Sequence, residues 1–292
     1  MIGSERRKEG GKAAFGRGIM FGTILLFGIL TGIFMGIGFF LGGIFGMGLA
    51  LILAFAINFI AYWYSDTIVL KMYRAKPSQD KKLNEMVEKL SQEAGIPKPK
   101  VYVVPQKVPN AFATGRNPKH SALAITEGLS GLSDEEMEGV LSHEIGHIRN
   151  RDILVSTIAA ALAGAISYIA QIGYFSLYGG GDERGAGSII GLILIVIFAP
   201  LAALMIRVAI SRSMEYKADR YGAVLTKNPK GLASALRKIS EIAKHQPMTG
   251  SSATSHLWIV NPFREGWFTG MFSTHPPMEQ RIRRLMAMEG KD

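Results

Sequence analysis

Residues Leu141–Ala170 read LSHEIGHIRNRDILVSTIAAALAGAISYIA. His143 and His147 stand four apart with Glu144 directly after the first, and from Ile153 onward the segment is almost purely apolar. An H-E-x-x-H pattern on a helix puts two imidazoles on one face, one turn apart, where both reach a single Zn²⁺. The glutamate then lies close enough to take a proton from a water on that ion without itself being a ligand. The apolar remainder has the character of a membrane helix. Why the two are joined is the question that decides the fold.

The helix has a clear start. Ser133–Glu136 (SDEE) is a capping box, so a helix begins near Asp134. No proline interrupts the chain before the apolar run. The helix carrying His143, Glu144 and His147 is therefore expected to continue into the membrane.

Outward from this stretch, apolar residues are concentrated rather than spread. Ile19 to Trp63 is 45 residues without one charge. A bilayer core takes about 20 apolar residues per helix, so this run fits two spans, with the turn among Gly36, Gly38, Gly42, Gly43 and Gly46. It far exceeds the roughly 7–15-residue core of a signal peptide. Ile153–Tyr178 and Ser188–Ile206 supply two more spans. The net charge of +10 is placed as membrane topology would place it. Arg6, Arg7, Lys8, Lys12 and Arg17 precede the first span, and Lys71, Arg74, Lys76, Lys81 and Lys82 follow the second. Arg149 and Arg151 precede the third; Arg207, Arg212 and Lys217 follow the fourth. The positive-inside rule puts both termini and the segment between spans two and three in the cytoplasm. No aromatic-basic pattern accompanies the charge, so no nucleic-acid partner is expected.

The expected organisation is a cytoplasmic segment 1–18, a membrane hairpin 19–64, a first part of a cytoplasmic domain 65–152, a second hairpin 153–207 with an outer loop 179–187, and a second part 208–292. Gln79–Ala94 has amphipathic helical spacing, ended by Gly95 and Pro97. Val101–Val104, Ala111–Thr114 and Ser121–Thr126 read as short strands. Lys230–Lys244 and Pro276–Met288 read as helices, the last basic on one side through Arg281, Arg283 and Arg284. Gln246–Thr274, rich in Gly, Ser, Thr and Pro, reads as a long mobile loop.

With no cysteine in the chain, a metal must be held by His, Asp or Glu. A catalytic zinc takes three protein ligands and keeps one position open. Of the other histidines, His120, His245, His256 and His275, none extends the first pair in the pattern that would make it third ligand, because Ile148–Arg151 is IRNR. Glu215, in MEYKAD, is the better candidate. If spans three and four form an antiparallel hairpin, His147 lies ~9 Å before one and Glu215 ~12 Å beyond the other by helical rise. Both then reach similar depth on one side of the membrane. Asp219, one turn on from Glu215, can take a ligand histidine's other N–H.

The chain resembles the HtpX family of membrane metalloendopeptidases, relatives of the prenyl-protein CAAX endopeptidases. The likeness rests on NFIAYWYSD, VPNAFATG, HEIGH, SRSMEYKADRYGA, IVNPF and FSTHPPMEQRI. It implies a mainly α integral membrane protein of four transmembrane helices with a cytoplasmic α+β zincin-like (gluzincin) protease domain. It further implies one zinc held by His143, His147 and Glu215, with Glu144 as base and Asn110 and His275 near the reacting carbonyl. Read alone, Asn110 after a proline is a turn residue and His275 before two prolines a helix-start residue. The implied substrates are unfolded or damaged membrane proteins of the cell membrane, in quality control under stress, with other membrane proteases as companions. The alternatives are a non-catalytic scaffold or chaperone with a structural zinc, and a prenyl-protein CAAX-type endopeptidase. A closed structural site would take four protein ligands and have no use for Glu144.

Overall fold

The computed structural model describes residues 2–163, 211–248, 252–263 and 276–289. The chain opens with α1, Ile2–Met72, broken into two helices where Gly42 and Gly43 leave helical geometry. Gly43 has φ +59°, which a residue without Cβ adopts readily. The break falls within the expected glycine cluster. Thr23–Phe40 and Gly42–Met72 are each long and apolar enough to cross a membrane. Phe40, Ile44, Phe45, Ile52 and Phe55 stand exposed on them, a surface suited to lipid rather than water. Asn58 Nδ2 donates to Thr31 Oγ1 at 3.0 Å between the two helices. The expected fourth span lies outside the described residues, as does all but the start of the third.

The second helix runs on to Met72 and delivers Val69, Leu70 and Tyr73 into the core of the next domain. That domain holds β1 (Lys76–Pro77), α2 (Lys81–Ala94), β2 (Lys100–Val104), β3 (Ala111–Asn117), β4 (His120–Thr126) and α3 (Asp134–Asn150). Asp80 caps α2 by accepting from the Leu83 N–H, and Gly95 ends it in the left-handed conformation. The sheet order is β1-β2-β4-β3, with β2 and β4 parallel and the other pairs antiparallel, so β3 is an edge strand. Beyond α3 come α4 (Ile153–Ala163), α5 (Arg212–Thr226), α6 (Pro229–His245) and α7 (Met278–Met286).

Phe112, Leu123, Leu141, Ile145, Leu236 and Trp258 form the centre of one core between the sheet and α3, α5, α6 and α7. Helices α3 and α5 approach very closely. A Cβ on Gly222 would lie 2.9 Å from Ser142 Oγ and 3.0 Å from the His143 nitrogen, so only glycine fits there. That approach brings one turn of α5 beside the histidine face of α3.

Two expectations fail. Helix α3 does not run on into the apolar segment: Arg151 turns left-handed (φ +66°), its N–H bonds to Ile148 O, and a new helix starts at Ile153. The turn swings Asp152 back so that its carboxylate meets His147. The straight-rise estimate of depth therefore does not describe how the two halves meet. The second failure is the long loop. Within it, Ser252–Leu257 is a 3₁₀ helix, and Thr254–Val260 are all buried. The aromatic rings of Trp258, Tyr73 and Phe112 pack edge-on, which makes this stretch part of the core.

Candidate metal centre and active site

The capping box appears as expected, with Ser133 accepting from the Glu136 N–H and the Glu136 carboxylate accepting from the Ser133 N–H. The helix it starts carries His143, Glu144 and His147 into the interior. Helix α5 brings Glu215 and Asp219 alongside. Ligand atoms of His143, His147 and Glu215 lie within 4.8 Å of one another. His143 Nε2 and His147 Nε2 are 3.1 Å apart. Glu215 lies 3.5 Å from His147 Nε2 and 3.9 Å from His143 Nε2.

These residues fit a zinc ion. Tetrahedral bonds of about 2.0–2.2 Å set ligand atoms roughly 3.4 Å apart, within the observed range. The far nitrogens agree. His143 Nδ1 lies 2.9 Å from Asp219 and His147 Nδ1 lies 3.0 Å from Asp152. Asp152 and Asp219 stand against the far side of each ring, so both Nε2 atoms are turned toward one point. A cation bound there would take the place of the proton between them.

Burial pushes the Glu144 carboxyl up to about 7, aided by Glu215 and opposed by His147 and by the Ala113 N–H that donates to it. Burial would lower His147, but Asp152, Glu215 and Glu144 raise it to about 10. Burial lowers His143, with Asp219 opposing.

Asp152 and Arg281 are functional candidates that sequence reasoning missed. Arg281, on α7, is fully buried. Its guanidinium grips Asp219 twice, donates to Ile259 O at 2.7 Å, and lies 3.2 Å from Glu215. Asn110 turns its carboxamide toward the Ile259–Val260 backbone. Its Nδ2 donates to Val260 O at 2.8 Å, while its Oδ1 accepts from the Ala111 and Val260 N–H groups. The carboxamide thus fastens the Ile259–Val260 backbone to β3 and is absent from the lining of the metal-site cavity. His275 lies outside the described residues.

The cavity measures about 20 Å³ and is lined by His143, Glu144, His147 and Glu215, with Ser156 of α4 and Trp258 among its walls. That is room for about one water.

Residues 77–289 match peptidase family M48. The protease HtpX homolog of Pyrococcus furiosus is 50% identical over 283 residues, covering 94% of this chain and 98% of that one. The chain belongs to peptidase family M48, and within it to the HtpX family. The protease HtpX homolog of Persephonella marina is also 50% identical, over 277 residues (91% of this chain, 96% of that one). Among solved structures, that of S. mikatae Ste24p gives a TM-score of 0.47 at 21% identity, over 97% of this chain and 65% of that one. This chain thus spans less than two thirds of Ste24p's length.

Proposed function

We propose that this HtpX-family chain is a membrane-embedded zinc endopeptidase. On this reading it hydrolyses unfolded or damaged membrane proteins on the cytoplasmic face of the cell membrane, in quality control. One observation carries the reading. Three ligand residues converge while Glu144, buried in the same cavity, remains outside the ligand set. Among the described residues no fourth His, Cys, Asp or Glu joins the cluster, as a structural zinc would require.

His143, His147 and Glu215 would hold the ion. When bound, zinc supplies a water acidified to about pKa 7 and polarises a carbonyl. Glu144 takes the proton from the attacking water and returns it to the leaving amine. Its carboxylate is held at Ala113, on the strand where the substrate backbone would lie. Asp152 and Asp219 orient the ligand rings, and Arg281 keeps Asp219 ionised in the interior. Burial would raise Asp219, but the charge and hydrogen bonds of Arg281 hold it down to about 2. His275 is the remaining candidate for stabilising the oxyanion. For Asn110 we substitute a positioning role. The substrate is taken as an extended strand added to the β3 edge.

The test is purified protein in detergent with an unfolded membrane substrate, with and without a chelator. Cleavage that the chelator abolishes and added zinc restores is the expected result. Cleavage indifferent to the chelator would exclude the metal mechanism.

A further inference from the structure

This inference rests on the peptidase reading. The cavity at Glu144 is narrow and the β3 edge beside it is already occupied, so one wall must move before an extended substrate lies along that edge. The structure distinguishes the two walls. The Trp258–Val260 wall is fixed: Trp258 is fully buried, Asn110 grips both backbone groups of Val260, and Arg281 holds the Ile259 carbonyl. The α4 wall is held differently. Toward the sheet it offers Ile153 and the small Ala160 and Ala161, together with two polar contacts.

Those contacts fall on the edge of β3. Pairing of Ala111, Ala113 and Gly115 with β4 turns their backbone groups outward. All three positions are engaged by the chain itself. Ala111 O accepts from the Ile259 N–H at 3.0 Å, and the Ala113 N–H donates to Glu144. The Gly115 N–H donates to Thr157 Oγ1 on α4 at 3.1 Å. The same hydroxyl accepts from Thr114 Oγ1 at 3.1 Å and donates to Ile153 O. At the preceding residue, the Ser156 carbonyl meets His256 Nε2 at 3.2 Å. The opposite face of α4 (Val155, Ile158, Ala159 and Leu162) packs on Leu26, Leu30 and Ala61 of the apolar hairpin.

We propose that α4 is a gate on the β3 edge, closed here with the Thr157 hydroxyl standing where a substrate carbonyl would accept from Gly115. Opening it frees that N–H for an extended peptide. Because α4 packs against the hairpin, the gate moves with the membrane segment.

The absence of native cysteine makes a direct test possible. The 3.1 Å separation of the Thr114 and Thr157 hydroxyls suits a disulfide in a T114C/T157C protein. Zinc-loaded protein is assayed on an unfolded membrane substrate, oxidised and then reduced with a phosphine. Oxidation should lower cleavage at least ~10-fold at unchanged zinc content, and reduction should restore it. Thr157→Val, which keeps the shape but leaves Gly115 without its acceptor, should lower KM about 2- to 10-fold, the equivalent of one neutral hydrogen bond. A cleaving reduced protein whose oxidised form cleaves equally fast overturns the gate alone. So does a KM unchanged or raised in Thr157→Val, which decides the matter if the disulfide protein misfolds. Wild-type protein that carries zinc and cleaves nothing overturns the peptidase reading and the gate with it.

Discussion

Arg281 and Asp219 form a two-pronged ion pair, Nε to Oδ2 at 2.8 Å and Nη2 to Oδ1 at 2.7 Å, in the protein interior. Breaking a buried pair by removing one partner strands the other charge, at about 3–5 kcal/mol. Arg281→Met should therefore destabilise the fold by that amount in chemical unfolding. Arg281→Lys should recover only part, because an ammonium cannot grip both oxygens. Equal stability of Met and Lys variants with wild type would show the pair to be unimportant.

Glu144→Gln should retain zinc and lose about 10²–10⁴-fold in turnover, since the base is outside the ligand set. Zinc by mass spectrometry and peptide cleavage on the same preparation check this. Normal turnover in the zinc-replete variant would remove Glu144 from the chemistry.

Glu215→Ala should lose the metal outright. Asp152→Ala should weaken zinc binding about 10–100-fold, as loss of a partner on a ligand histidine's far nitrogen does. Competition with a chelator of known affinity measures both. Unaltered affinity in Asp152→Ala would mean that the contact with His147 is incidental.

Glu136, away from the metal site, gives a pH test of the fold. Burial would raise its carboxyl, but Lys238, Ser234 and the Ser133 N–H outweigh burial and lower it below its ordinary 4.5. A depressed carboxyl contributes stability above its unfolded pKa and loses it as pH falls through the folded one. The advantage of wild type over Glu136→Gln should be full near neutrality and shrink as pH drops below 4.5. An advantage constant down to strong acid would count against the ionised contact.

The proposed orientation predicts that Glu93→Cys, on the exposed side of α2, labels with an impermeant maleimide only after lysis. A cysteine at Gly180, in the expected outer loop, should label on intact cells. Labelling of position 93 from outside would invert the topology.

Much of this was legible from spacing. The capping box, the glycine turn and the His143–His147 pair each depend on a few residues at fixed offsets, which sequence preserves directly; Glu215, distant in the chain, is reached through the family resemblance of its MEYKAD motif. Asp152 was not, because it is recruited by a left-handed turn at Arg151, where neither glycine nor asparagine marks the helix end. In the sequence Arg281 is one of three basic residues on one side of the last helix, and charge alone does not say which of them points inward. The stretch HLWIV is hidden by its flanks: averaged over Gln246–Thr274, polar and small residues outnumber Leu257, Trp258, Ile259 and Val260, which enter the core.

The ribosome makes α3 and its histidines long before α7. During synthesis the ligands exist while Asp219 still lacks the guanidinium that neutralises it. Order of translation thus becomes order of assembly: the buried charges of the centre balance only once α7, the last of the described helices to be made, brings Arg281 onto Asp219.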